Sequence, residues 1–194
     1  MCFCKKQGLP PSAEPRRPGS SRKARAMERP LKREDLVRLR SLLKPGDVGA
    51  IVHLHGVVYA QEYGWDSTFE GYVAEGLARF ALSHNPRNDC LWVAEASEEM
   101  VGSIGVVGHS AQEAQLRWFL VHPAWRGRGF GHRLLNEALE FCRERRFGSV
   151  FLWTTSDLEA AAHLYQLAGF RRTEEKTHRA WGQTVTEERY DVSL

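Results

Sequence analysis

The apolar positions change period several times along the chain, and each change marks an element. From Leu31 to Lys44 they fall at 31, 36, 39, 42 and 43, near helical spacing. Pro45-Gly46-Asp47 breaks that run. Val48 to Leu54 reads as a strand and Val58 to Tyr63 as a short helix. Asp66-Ser67 can cap a longer helix, with Glu70 as the capping-box partner of Ser67. Its stripe is Phe69, Tyr72, Val73, Leu77, Phe80 and Ala81, and Asn85-Pro86 ends it. Cys90 to Ala96 and Met100 to Gly108 read as a hairpin about a short Ser-Glu-Glu turn, with Ala114 to Val121 as the third strand of a meander. Gly131 to Arg146 is a helix with Leu134, Leu135, Ala138, Leu139 and Cys142 on one face. Val150 to Thr154 is apolar almost throughout, as in a strand covered on both faces. Leu158 to Ala168 is a helix closed by Gly169, and Phe170 to Glu174 with Val185 to Ser193 form a final antiparallel pair. This order predicts a mixed α/β (α+β) domain with one strand–helix–strand crossover.

Charge divides the chain in two. Residues 1–45 hold 13 Lys+Arg against 4 Asp+Glu, whereas residues 46–194 hold 14 against 20, so the net +3 hides an acidic folded part. That balance argues against reading the whole protein as a nucleic-acid binder. Residues 1–26, rich in Pro, Ser, Lys and Arg, read as a disordered basic tail. Residues 27–45 read as an N-terminal helix or linker, and 46–194 as the folded domain. No apolar run approaches the roughly 18 residues of a membrane span, and no signal-type apolar core opens the chain. Cys2, Cys4, Cys90 and Cys142 have no zinc-site spacing, so a reducing, cytoplasmic setting is expected.

The informative chemistry lies at Leu120 to Leu135, where an apolar strand runs into Arg126-Gly127-Arg128-Gly129-Phe130-Gly131-His132 and the turn opens an amphipathic helix. Unpaired N–H groups and the positive dipole end make a helix start an anion site. Glycines let the backbone approach a phosphate. The residues alone therefore give a phosphate- or pyrophosphate-binding turn, or a tight basic turn with no ligand. The turn lacks the Gly-Lys-Ser/Thr ending of a P-loop. Its G-x-G-x-G spacing is not the dinucleotide G-x-G-x-x-G.

The run Arg126-x-x-Gly129-x-Gly131 resembles the acyl-CoA motif of the GNAT N-acetyltransferase superfamily. Ala161-Ala162-His163-Leu164-Tyr165, continuing to Gly169-Phe170, resembles its second characteristic segment. More narrowly, residues 152–170 and the His-Gly and Tyr-Gly-Trp runs near 55–65 look like the acetyltransferase domain fused to MarR-type regulators in bacteria. The resemblance implies the GNAT acyl-CoA N-acyltransferase fold, a mostly antiparallel twisted sheet with about four helices. It implies acetyl-CoA as co-substrate and a primary amine of a small molecule, peptide or protein as acceptor. Backbone near Leu120 or Val121 would hold the thioester carbonyl. The segment from Arg126 through Gly127, Arg128, Gly129, Phe130 and Gly131 to His132 would cradle the pyrophosphate, and Tyr165 would act as general acid. Where many relatives carry an Asn for the pantetheine arm this chain has Leu158, so Thr155, Ser156 or backbone would substitute.

The base is not given by the motif. Gln115 stands where some relatives have a Glu, which leaves Glu113, Glu62 or a water chain. An acceptor side is expected from Tyr59, Glu62, Tyr63, Trp65 and Asp66, since rings and carboxylates suit a cationic amine. His178 and Trp181 could shape it. His53 and His55 alternate on the expected strand, but two histidines without a third ligand do not make a metal site. A homodimer through the final strands is a common family arrangement. Two other readings are a non-catalytic acyl-CoA sensor and a nucleic-acid-associated protein acting through the basic tail.

Overall fold

The computed structural model describes residues 37–194. Seven strands form one sheet: β1 Arg38–Arg40, β2 Cys90–Ala96, β3 Glu99–Gly108, β4 Glu113–Val121, β5 Ser149–Thr155, β6 Arg171–Ala180 and β7 Gln183–Ser193. Four helices accompany them: α1 Asp47–Tyr63, α2 Ser67–Ser83, α3 Phe130–Glu144 and α4 Glu159–Leu167. The sheet order is β1-β2-β3-β4-β5-β7-β6, and only β4 and β5 run parallel. α3 is the crossover between those two. The tail at 1–26 and the start of the expected helix at Leu31 lie outside the described residues. No helix among the described residues is long and apolar enough to cross a membrane.

The two faces of the sheet carry separate cores. One packs Ala114 and Leu116 of β4 and Val150 and Leu152 of β5 against Leu134, Leu135, Ala138 and Cys142 of α3. The other packs Leu91, Val93, Trp118 and Val185 against Ile51 of α1 and Phe69, Val73, Leu77 and Phe80 of α2. The β2–β3 and β6–β7 hairpins turn on two residues with positive φ, Ser97-Glu98 and Trp181-Gly182, the backbone twist that matches flanking strands. Asp66 caps α2, its side chain accepting from the Thr68 N–H at 2.9 Å, but Glu70 does not close a capping box with Ser67, which is the first helical residue; the Glu70 carboxylate lies against Gly56 of α1. Ala81 and Tyr72 of its expected stripe are exposed. Cys90 and Cys142 are unpaired, and burial pushes their thiols up to about 11 and about 12.

Two expected elements are different. The helix expected over 31–44 gives way at Arg38–Arg40 to an edge strand paired with Val93–Glu95. A charge network built from distant residues overrides the local period. Arg40 donates to both Asp47 oxygens at 2.6 and 2.7 Å and to Glu95 at 2.7 Å, which holds this Asp47 carboxyl below its ordinary range against the opposing effect of burial. Leu42 of the supposed apolar stripe is 77% exposed. The strand expected at Val48 to Leu54 is instead the first half of α1, continuous with 58–63. Ile51, His55 and Val58 are its buried positions, a spacing of four and three. Gly56 sits inside that helix because a Cβ there would lie 2.8 Å from the Glu70 carboxylate of α2.

Candidate active site

Local sequence builds a defect into β4. Gly105 of β3 pairs with Arg117 and Ser103 with Leu120, so the single Ile104 faces two residues, Trp118 and Phe119. This is a β-bulge, with Trp118 at φ 50°. Gly105 permits it, because a Cβ there would lie 2.7 Å from the Trp118 ring. The bulge puts Arg117 and Trp118 on one face, with the guanidinium 4.8 Å from the Trp118 ring centre. Pairing of β4 with β5 ends at Leu116–Leu152. Beyond it, β4 has an open edge. His122 donates its N–H to the Val101 carbonyl of β3 at 2.8 Å. Alternation along the strand then turns the Leu120 N–H to β3 and the Phe119 and Val121 N–H groups to the open edge.

The turn that follows is shaped for an anion. Gly127 and Gly129 have φ of 73° and 80°, and a Cβ on either would meet nothing within 4 Å. Gly129 is the N-cap of α3 and offers no side chain, so the N–H groups of Phe130, Gly131 and His132 have no cap. The first helical bond runs from Arg133 back to the Gly129 carbonyl. Arg126 is tied down: its Nε donates to the Val121 carbonyl at 3.0 Å and its Nη1 to Glu62 at 2.8 Å. It thus clamps the end of α1 onto the turn. The Arg128 guanidinium lies 5.1 Å from the Trp125 ring centre.

A cavity of about 440 Å³ runs from this turn along the open edge of β4 to α4. Leu120, Val121, Arg126, Gly127, Gly129, Phe130, Gly131 and His132 line it, together with Ala160, His163, Leu164 and Leu167 of α4, whereas Arg128 of the same run does not. A second cavity of about 120 Å³ opens on the α1–α2 face, between Tyr59, Trp65, Phe69, Tyr72 and Trp181 on one side and β4, β5 and β7 on the other. The two share Tyr59, Phe119, Leu158 and Ala161. They therefore meet where β4 and β5 part.

The remaining sequence candidates distribute unevenly. Tyr165 is 6% exposed and borders the second cavity. Burial, with Tyr59 beside it, raises its hydroxyl far above the ordinary range, so it stays protonated. Tyr59 is raised by burial in the same way. Thr155 lines the second cavity, not the larger one, and its buried hydroxyl has no partner among the described residues. Glu113 is not brought to either cavity. It lies at the far end of β4, paired with Ser149, and is bridged by Arg189 at 3.0 Å. Glu62 is at the turn, held by Arg126. Because α1 is a helix, His53 and His55 do not share a face: His53 is exposed, and buried His55 donates through Nδ1 to the Ile51 carbonyl at 2.9 Å. No cluster of three metal-ligating side chains occurs among the described residues.

Sequence reasoning missed Arg117 and Glu187, both of which line the second cavity. Glu187 is opposite Thr155 on β7, and His178 approaches it at 3.5 Å. Only the strand pairing brings these residues together.

The fold has counterparts. The Salmonella typhimurium protein yncA, solved with its cofactor acetyl-CoA, superposes with a TM-score of 0.64 over 82% of this chain and 94% of its own, at 17% identity, a likeness of fold. Human N-acetyltransferase 8B is 32% identical over 101 residues, 50% of this chain and 44% of that protein. The Xenopus tropicalis protein named "Probable N-acetyltransferase camello" is 27% identical over 155 residues, 74% of this chain and 71% of its own. This chain thus spans less than half the length of the human relative. Neither relative is named as a MarR-type regulator, and relatives in vertebrates do not narrow the source to bacteria. Residues 57–170, more than half of the chain, match the Acetyltransferase (GNAT) family, and the chain belongs to that family.

Proposed function

We propose that the protein transfers the acetyl group of acetyl-CoA to a primary amine of a small molecule or peptide by direct attack. The observation that carries this reading is the junction of two cavities at the open edge of β4. One cavity ends on the uncapped start of α3, and the other is walled by aromatic rings. The open turn fits a pyrophosphate, with Phe130, Gly131 and His132 donating N–H groups at the positive end of the helix. Acetyl-CoA supplies an activated acyl thioester. The Val121 or Phe119 N–H at the open edge would polarise its carbonyl. In the transfer a carbon–nitrogen bond forms and the carbon–sulfur bond breaks. One proton leaves the nitrogen and one is delivered to the sulfur. Tyr165, which borders the second cavity, is the donor in this reading. Leu158, at the start of α4, borders both cavities and would contact the pantetheine arm through apolar surface. The relatives' names favour turnover over a purely sensory role.

The test is calorimetric titration with acetyl-CoA, followed by thiol release across a panel of amines. Micromolar binding and amine-dependent thiol release are expected. Absence of binding refutes the reading. Binding without release for any amine favours the acyl-CoA sensor instead.

A further inference from the structure

The second cavity has an unusual polar balance. Its aromatic wall would suit any organic cation, yet one side chain on it is itself a cation. Arg117 has no carboxylate partner among the described residues. Its guanidinium is placed by packing, 4.8 Å from the Trp118 ring centre and 5.8 Å from that of Tyr72. The helix facing it makes room: a Cβ at Gly76 of α2 would lie 2.8 Å from the guanidinium and 3.3 Å from the Trp118 ring. A glycine inside a helix costs roughly 1 kcal/mol relative to alanine, so this space has a stability cost.

Three of the lining residues also carry buried groups able to donate. The buried side-chain polar atoms without a partner among the described residues are Trp65 Nε1, Trp118 Nε1 and Thr155 Oγ1. All three residues line this cavity. An indole N–H can only donate, and a hydroxyl can donate as well as accept. The carboxylate on the wall is Glu187, whose strand is on the other side of β5 from β4. A ligand that carried only an ammonium would be served by Glu187 and the rings and would face an uncompensated guanidinium. A ligand with both an ammonium and a carboxylate answers both charges.

Resting on the acetyltransferase reading above, we infer that the acceptor is an amine that also bears a carboxylate, an amino acid in the broad chemical sense. Arg117 receives the carboxylate and Glu187 the ammonium. Arg117 is thus a specificity-determining residue. The aromatic walls favour an apolar or aromatic body between the two groups.

The test uses the full chain and matched pairs of acceptors: ω-amino acids with aliphatic or aromatic spacers, each beside the amine that lacks the carboxylate. Thiol release gives kcat/KM for each member. The carboxylated member is expected to be preferred by at least about tenfold, since a charge-assisted pair to an arginine is worth that much. Arg117→Ala collapses the preference, and Arg117→Lys restores part of it. Glu187→Gln slows both members of a pair and leaves their ratio. Gly76→Ala, which displaces the guanidinium without removing it, lowers the ratio as well. Acetyl-CoA titration of each variant verifies the fold, because that cavity does not contain Arg117. Equal rates within every pair, a preference that survives Arg117→Ala, or acetyl-CoA binding with no pair turned over would each overturn the inference and leave the cofactor reading standing. Failure of the parent to bind acetyl-CoA would overturn both.

Discussion

Gly129 offers a sharp test of the phosphate turn, because its backbone and electrostatic effects can be separated. Its φ is 80°, and the space a Cβ would occupy is empty within 4 Å. Gly129→Ala therefore incurs only the left-handed strain of an L residue, about 1–2 kcal/mol, with no clash to add. Gly129→Glu bears the same strain and places a carboxylate beside the uncapped start of α3. In the free protein that charge is favourable at a helix start by roughly 0.3–1 kcal/mol, so the Glu variant should unfold no more easily than the Ala variant. With a pyrophosphate bound the sign reverses. Two like charges about 6 Å apart at an effective dielectric near 20 repel by roughly 3 kcal/mol. The expected result is that Ala weakens acetyl-CoA binding modestly, while Glu weakens it a further hundredfold or so at equal or better thermal stability. Calorimetric titration beside a thermal melt reads both quantities. Equal affinity of the Ala and Glu variants would refute the placement of the phosphates at this turn, whatever the rate of thiol release.

Three further outcomes follow from the geometry. Tyr165→Phe should lower kcat by about 10²–10⁴ while acetyl-CoA binding and melting temperature change little, and a kcat within twofold of the parent would remove Tyr165 as the acid. Gly105→Ala forces a methyl toward the Trp118 ring, 2.7 Å away, so it should destabilise by about 1–3 kcal/mol in urea titration and reduce thiol release as the bulge shifts; an unchanged protein would mean the bulge is not held by that contact. Burial lowers His55 from 6.5 to about 4 in the folded state, so the unfolded chain binds the extra proton as pH falls through that window. Stability should therefore be full above about pH 6.5 and drop by about 2 kcal/mol by pH 5, a slope that His55→Phe flattens. The carboxylates held low, Asp47, Glu95 and Asp191, add their loss only below about pH 4.5, so a slope between 5 and 6.5 that persists in the variant would refute the assignment.

What could be read from the sequence is what is local in sequence. The hairpin at Ser97-Glu98, the strand–turn–helix from Leu120 to Leu135 and the α4 segment ending at Gly169 each carry their turn residue and their period within about twenty positions. The wall of the larger cavity from Leu120 to His132 lies within one such segment, and its α4 wall within another. The errors fall where partners are distant. Arg38–Arg40 is a strand because Asp47 and Glu95 hold Arg40, and α1 reads as a strand only if the four-and-three spacing of Ile51, His55 and Val58 is overlooked in favour of its β-branched residues. Glu113 shares a strand with Gln115 and Arg117, which line the second cavity. Strand direction alone cannot say how far along β4 the cavity reaches, and Glu113, at the start of β4 and bridged by Arg189, lies beyond its end. The second cavity is the extreme case. Arg117 of β4, Glu187 of β7 and Trp181 of the β6–β7 turn gain a common meaning only after the sheet order sets β5 between β4 and β7. The part of the site that a family shares is encoded in contiguous motifs, whereas the part that selects an acceptor is assembled from single residues. A match confined to the motifs therefore carries the fold and the co-substrate further than it carries the acceptor. The charges on the second cavity's wall, Arg117 above all, hold the remaining information.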